Sequence, residues 1–93
     1  MAKQNYYLRW CEKIPDCLAR HYKAKLGMMG TREEFVGHNL ERAIELAREV
    51  AKETGQITKV VTLIGIKSWQ LYFAVKPSGE ESRRPPFEEW ALG

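Results

Sequence analysis

Long apolar runs are missing from this sequence. No stretch approaches the roughly 20 apolar residues that a helix needs to cross a membrane. The first ten residues, MAKQNYYLRW, contain no apolar block of the kind that forms the core of a signal peptide. These absences predict a cytoplasmic protein that does not associate with a membrane.

Cysteine and histidine are scarce as well. The chain has two cysteines, Cys11 and Cys17, which are expected to be free thiols in a reducing cytoplasm. With His21 and His38 they make four potential zinc ligands, but only the spacing of Cys17 and His21 approaches that of a compact zinc site. A catalytic cysteine also needs a base and an oxyanion-stabilising group, and the sequence indicates neither for Cys11. We therefore expect no metal site and no nucleophilic cysteine.

The fingerprints of nucleotide-binding and hydrolytic enzymes are absent too. Residues 26–34, LGMMGTREE, place two glycines before a helix-capping pattern, but they match neither a P-loop nor a dinucleotide-binding fingerprint. Glu33 and Glu34 would repel a phosphate group at that point. Adjacent acidic residues, here and at Glu88 and Glu89, do not face one site in regular structure. The sequence thus predicts a protein without a cofactor that is not an enzyme.

The sequence does contain the material for one small folded domain. Of its 93 residues, 44% are hydrophobic and 11% are aromatic, which is enough for a modest core. Residues 39–55, NLERAIELAREVAKETG, carry apolar side chains on one helix face, with Asn39 as N-cap and Gly55 after the last turn. This pattern predicts a helix over residues 39–54. Its apolar positions are Leu40, Ala43, Ile44, Ala47, Val50 and Ala51.

Alternating apolar and polar residues predict strands on both sides of this helix. The run NYYLRWCE, residues 5–12, predicts a first strand. Residues 57–64 and 69–76 predict an antiparallel hairpin around GIKS that ends at Pro77. Residues 14–29 are ambiguous, because alternation favours a strand over 21–29 whereas residue propensities favour a helix from Pro15.

The segment TREE, residues 31–34, is a capping-box pattern. It either starts the main helix early or forms a separate short turn, and the helix-breaking Gly37 favours the separate turn. The whole chain then predicts an α+β domain over residues 1–77. A mainly antiparallel sheet of three or four strands packs on one main helix in the order β-β-α-β-β, with β-α-α-β-β as the alternative.

Residues 78–93 are predicted to form an acidic, proline-containing, partly flexible tail with little regular structure. Its apolar residues Phe87, Trp90 and Leu92 are spaced so that they could dock either onto the domain or onto a second chain.

The alternation WQLYFAV, residues 69–75, predicts which side chains face the helix. Trp69, Leu71, Phe73 and Val75 would pack inward, whereas Gln70 and Tyr72 would turn away. In the first strand Tyr6, Leu8 and Trp10 would pack inward, whereas Tyr7 and Arg9 would turn away. One helix covers only one face of a sheet, so the other face would expose tyrosines among cations to water or to a partner.

These exposed residues predict a non-catalytic binding module. Tyrosine and arginine are enriched in protein interfaces, which favours a protein partner or self-association as a homodimer. The alternative is weak binding of single-stranded nucleic acid, in which rings stack on bases and cations contact phosphates. A net charge of +3 is mild for that role. The predicted partner-binding residues are Tyr7, Arg9, Lys23, Lys25, Tyr72, Lys76, Phe87 and Trp90.

Overall fold

A computed structural model describes residues 4–13, 29–66, 68–83 and 85–92. In these ranges an antiparallel sheet has the order β2-β1-β3-β4-β5, and one main helix lies against it. This is an α+β domain, as predicted, although its five strands exceed the predicted three or four. The elements are β1 (Tyr6–Lys13), β2 (Met29–Gly37), α1 (Leu40–Thr54), β3 (Thr58–Ile64), β4 (Ser68–Val75), β5 (Glu81–Arg83) and α2 (Glu89–Leu92).

Helix α1 begins and ends where its capping residues predict. The Asn39 side chain accepts a hydrogen bond from the backbone N–H of Arg42 at 3.2 Å. Gly55 adopts a left-handed conformation with φ 68°, and its N–H donates to the Ala51 carbonyl at 3.0 Å. Both ends therefore satisfy backbone groups that a helix otherwise leaves unpaired.

The core lies between α1 and one face of the sheet, which we call the covered face. Strands β1, β3 and β4 supply the largest buried side chains of this face, and each fully buried side chain of this size contributes about 1.5–3 kcal/mol. The helix contributes small residues and one large one: Ala43, Ile44, Ala47 and Ala51. The strands contribute Tyr6, Leu8, Trp10, Val60, Phe73 and Val75.

Strand β4 contains a bulge that changes the face on which its residues lie. Val60 of β3 pairs with Phe73, but the next residue, Val61, pairs with Leu71. Tyr72 is therefore the extra residue of the ladder, and the alternation of side chains shifts there by one position. Phe73 and Val75 pack on the covered face as predicted.

The prediction for the first half of β4 is therefore wrong. Trp69 and Leu71 lie on the face turned away from α1, because they pair with Leu63 and Val61 beyond the bulge. Gln70 and Tyr72 lie on the helix side. The sequence continues to alternate through residues 69–75, so it contains no sign of the extra residue.

Strand β2 replaces the short turn that the capping-box pattern predicted. Residues 29–37 run antiparallel to β1, with Glu33 opposite Arg9 and Arg32 opposite Trp10. Arg9 bonds to Glu33 at 2.7 Å, and Arg32 reaches Glu12 at 3.4 Å. Pairing with β1 thus overrides the local capping signal, as tertiary contacts often do. The strand predicted over residues 21–29 lies outside the described residues except at its last position.

The C-terminal segment packs against the domain. Residues 81–83 form β5, which the sequence analysis did not predict, beside the end of β4. Arg48 of α1 donates two hydrogen bonds to the Glu81 carboxylate, both at 3.0 Å. The Ser82 hydroxyl accepts from the N–H of Glu88 at 3.1 Å, and Ala91 of α2 is fully buried. Hydrogen bonds to Arg48 of α1 and to Glu88, the residue before α2, thus hold β5 in place.

Candidate interaction surface on the open sheet face

The sheet face turned away from α1, here the open face, carries a group of apolar and aromatic side chains. Tyr7 comes from β1, Phe35 from β2, Leu63 from β3 and Trp69 from β4, and we call these four residues the aromatic patch. Strand pairing places them together: Tyr7 pairs with Phe35 on one side, and Leu63 pairs with Trp69. Tyr7 also pairs with Val61, which is buried beneath this face.

The rings of the aromatic patch contact one another in fixed orientations. The Tyr7 ring centroid lies 5.5 Å from that of Phe35 and 5.4 Å from that of Trp69, with the Trp69 ring almost perpendicular. Phe35 in turn contacts the His38 ring at 5.6 Å. The edge-to-face contacts of Tyr7 with Trp69 and of Phe35 with His38 each contribute about 0.5–1.5 kcal/mol beyond simple burial. They hold the rings in place before any partner arrives.

Mutual contact does not bury the aromatic patch. Phe35 remains 51% exposed, Leu63 41% and Trp69 38%. The hairpin that supplies two of these residues also exposes Ile64 and, at its tip, Ile66. Apolar side chains that are exposed singly are ordinary, but a contiguous group on one sheet face is typical of an interaction site.

Arg9 forms the polar border of the aromatic patch. Its guanidinium carbon lies 4.7 Å from the Trp69 ring centroid, which is cation–π geometry. The same side chain bonds to Glu33 at 2.7 Å. The positive charge of Arg9 is therefore largely compensated, and a positive and a negative group lie side by side at the border.

Of the predicted site residues, Tyr7 and Arg9 lie on the open face, as their position in β1 predicts. Tyr72 does not, and that prediction is wrong. Its ring contacts Tyr6 at 5.6 Å on the helix side, and its hydroxyl donates to Gln4 Oε1 at 2.8 Å. The bulge at Tyr72 is the physical reason.

The other predicted site residues contact their own domain or lie outside the described residues. Lys76 bonds to Glu80 at 3.0 Å, and its ammonium lies 4.8 Å from the Trp90 ring. Phe87 is half-buried and lines one surface cavity together with Leu40 and Ile44, so Phe87 and Trp90 are both directed toward their own domain. Lys23 and Lys25 lie outside the described residues.

Sequence reasoning missed three members of the aromatic patch. Phe35 was assigned to a turn, because residues 31–34 before it are all polar and give no alternation that signals a strand. Leu63 lies on the open face because it is two residues from Val61, a position that strand parity could have found. Trp69 was assigned to the core, and nothing in the sequence signals the bulge that moves it.

The described residues contain no cluster of potential metal ligands, and two ionisable groups of the sheet have shifted pKa values. No three His, Cys, Asp or Glu side chains come close enough there to hold a metal ion, while Cys17 and His21 lie outside those ranges. Burial raises the pKa of Tyr6 above its ordinary value, with a smaller contribution from Tyr72. Burial also lowers the pKa of Lys59, and the nearby positive charge of Arg9 lowers it further.

Comparison with known protein families, with curated proteins and with solved structures finds no match for this chain. In the described ranges, neither helix combines the length and the apolar character that a membrane crossing requires. The arrangement of side chains on the open face is therefore the basis for a functional proposal.

Proposed function

We propose that this protein is a non-catalytic interaction module that binds a second copy of itself through the aromatic patch. The observation that supports the proposal is the pre-ordered but exposed set of rings, in which Phe35 is 51% and Trp69 38% exposed. Burying these side chains in an interface removes apolar area from water without ordering flexible groups, so little conformational entropy is lost.

The border of the aromatic patch favours a second copy as the partner. Arg9 and Glu33 place opposite charges 2.7 Å apart. In a two-fold symmetric contact the same surface meets itself, and an axis that passes between Arg9 and Glu33 brings each Arg9 beside a Glu33 of the other copy, so that each charge remains paired. A partner of one charge sign would leave one member of this pair opposed by a like charge.

Single-stranded nucleic acid is the second candidate ligand. Three rings and Arg9 share one sheet face, which is the arrangement that base-stacking platforms use. However, the carboxylate of Glu33 lies beside Arg9 and opposes a phosphate at that position. This balance of charges ranks nucleic acid below a protein partner.

Sedimentation velocity over a range of protein concentrations tests the proposal. The double variant Phe35→Ser with Trp69→Ser should shift a concentration-dependent dimer to monomer. Leu92→Ser is the matched control, because Leu92 is also apolar and 65% exposed but belongs to α2. The control should sediment as the natural protein does. A natural protein that remains monomeric at every concentration overturns the homodimer.

Titration with a labelled single-stranded oligonucleotide at low and high salt tests the second candidate. Binding that is strong at low ionic strength, falls steeply with salt and is lost in the double variant supports nucleic-acid binding. Absence of binding at low ionic strength rejects it, because phosphate contacts are strongest there.

A further inference from the structure

The hairpin of β3 and β4 extends beyond the rest of the sheet. The last pair between β1 and β3 joins Tyr6 to Thr62. Beyond this point β3 and β4 continue to pair with each other, as far as Ile64 and Ser68. The described part of residues 63–69 thus forms a two-stranded ribbon that pairs with no third strand of the described ranges, and we call it the hairpin arm.

The end of the hairpin arm is apolar and exposed. Ile66 is 91% exposed and Ile64 48%, and they follow Leu63 of the aromatic patch, which is 41% exposed. Gly65 supplies the left-handed conformation of the turn, with φ 69°. Glycine, proline, asparagine, aspartate and serine dominate turns for conformational reasons, and isoleucine offers none of these. At its exposure Ile66 also adds almost no burial to the fold.

The aromatic patch alone is too small for a stable interface. A large aromatic side chain buries about 150–250 Å² in total, so the exposed fractions of Phe35 and Trp69 offer roughly 60–130 Å² each. A stable complex buries about 800 Å² on each partner. An interface centred on the aromatic patch therefore has to include neighbouring surface, and the hairpin arm continues the patch directly from Leu63 and Trp69.

We propose that the interface between two copies extends along the hairpin arm, with Ile64 and Ile66 of each copy packed against the other copy. This inference rests on the proposed self-association and adds apolar area to it. In a two-fold symmetric dimer both arms are used at once, so each apolar side chain of the arm is buried twice. The isoleucine that contributes little to folding then contributes to assembly.

A lipid surface is the other apolar environment that an exposed hairpin tip can enter. Such binding combines burial of apolar side chains with attraction of cations to anionic lipids. The described residues of the hairpin arm carry no charged side chain. A myristoyl chain, which has more apolar carbons than two isoleucine side chains, gives only marginal membrane binding. These observations favour a second copy over a lipid surface.

Sedimentation velocity of variants at position 66 tests the inference. Ile66→Ser should raise the dissociation constant of the dimer by about tenfold or more, because each copy loses an apolar contact with the other. Ile66→Leu should restore most of the affinity, because it conserves the apolar volume. Leu92→Ser, at an exposed apolar position of α2, should keep the natural value. Urea denaturation checks folding, since substitutions at exposed positions change stability little.

The inference and the proposed self-association fail in different ways. A natural protein that remains monomeric at every concentration overturns both. A dimer that the Phe35→Ser, Trp69→Ser double variant dissociates but that Ile66→Ser leaves unchanged overturns only the role of the hairpin arm.

Photo-crosslinking gives a direct readout of contact between the arms and the other copy. The variant Ile66→benzoylphenylalanine should yield a covalent dimer on irradiation, whereas Leu92→benzoylphenylalanine should not. Absence of crosslinking from position 66 in a protein that sediments as a dimer overturns the inference. Flotation with vesicles of phosphatidylcholine and phosphatidylserine tests the lipid surface. Vesicle binding that Ile66→Ser abolishes would overturn the inference in favour of lipid.

Discussion

The two faces of the sheet differ in how far they bury their apolar side chains. On the covered face Leu8, Val60 and Phe73 are at most 1% exposed. On the open face Phe35 and Trp69 are 51% and 38% exposed, although they are equally apolar. The difference shows that the domain has more apolar strand residues than its one main helix can cover, and the surplus forms the aromatic patch.

Strands β1 and β4 also differ in how they distribute their side chains between the two faces. β1 alternates regularly, with Leu8 toward the helix and Tyr7 away from it. β4 instead gives Phe73 and Val75 to the covered face and Trp69 and Leu71 to the open one, because the bulge at Tyr72 separates its halves. A single extra residue thus decides whether a tryptophan stabilises the core or remains available to a partner.

The largest expected effect tests this division within β4. Phe73→Ala should lower the free energy of unfolding by about 3–5 kcal/mol, because it leaves a cavity in the core. Trp69→Ala should cost only about 1–2 kcal/mol, since it removes one ring contact and one cation–π contact. Urea denaturation measures both values.

Positions 69 and 73 can still be compared if the Phe73→Ala variant does not fold. Phe73→Leu removes less volume and should still destabilise the protein at a fully buried position. Equal costs at positions 69 and 73 would mean that both side chains belong to one core, and the division at Tyr72 would be lost.

The second prediction concerns the border of the covered face. Hydrogen bonds from Arg48 lower the pKa of the Glu81 carboxylate, so the pair stabilises the fold above the unfolded-state pKa of Glu81. This contribution disappears as the pH falls through the lowered folded-state pKa. Glu81→Gln should cost about 1 kcal/mol at pH 7, the upper range for a partly exposed pair, and nothing in strong acid. Denaturation at several pH values measures the difference.

An equal effect of Glu81→Gln at pH 7 and in strong acid would contradict an electrostatic role. Lys76 and Glu80, joined at 3.0 Å in an exposed turn, provide the matched comparison. Glu80→Gln should have a smaller effect at pH 7, because only one hydrogen bond joins the two side chains of that pair.

The third prediction measures coupling on the open face. A double-mutant cycle of Arg9→Gln and Trp69→Leu should give an interaction free energy of about 0.5–1 kcal/mol, as expected for an exposed cation–π contact. Arg9→Gln also breaks the bond to Glu33, but that loss is the same in both halves of the cycle. A coupling free energy of zero would show that Arg9 does not order the Trp69 ring.

The smallest expected effect distinguishes two tyrosines. The Tyr72 hydroxyl donates to Gln4 on the helix side, so Tyr72→Phe should cost about 0.5 kcal/mol, the low end for a hydrogen bond open to water. Tyr7 contributes its ring to the aromatic patch, and Tyr7→Phe should leave the free energy of unfolding nearly unchanged. A larger cost for Tyr7→Phe would reverse the assignment of the two residues to opposite faces. Urea denaturation with replicate curves resolves these values.

The elements predicted correctly from the sequence are those whose bounds depend on residues close together in the chain. The helix from Leu40 to Thr54 and the hairpin of β3 and β4 were predicted to within one residue at each end, because their periodicity, caps and turn agree. β2 was missed because TREE satisfies a helix-capping pattern, and only β1, with Arg9 opposite Glu33, makes it a strand. β5 is three residues long, and Arg48, which binds its Glu81, lies 33 residues away in the chain.

The candidate site was predicted less completely than the fold. Tyr7 and Arg9 were placed correctly because β1 alternates without interruption. The predictions placed Tyr72 and Trp69 each on the wrong face, because an alternating sequence does not indicate where a bulge occurs. The pairing of Arg9 with Lys59 depends on the register between β1 and β3, which is set by the complete sheet.

The ladder between β3 and β4 has a further evolutionary consequence. Seven residues of β3 face eight of β4, and Tyr72 is the surplus residue. A one-codon deletion at this site would close the ladder into a regular strand, with every remaining side chain on its present side. Elsewhere in β4, loss of a codon would move side chains from the buried to the solvent-exposed side of the sheet or the reverse. Position 72 is thus where this strand tolerates a change of length.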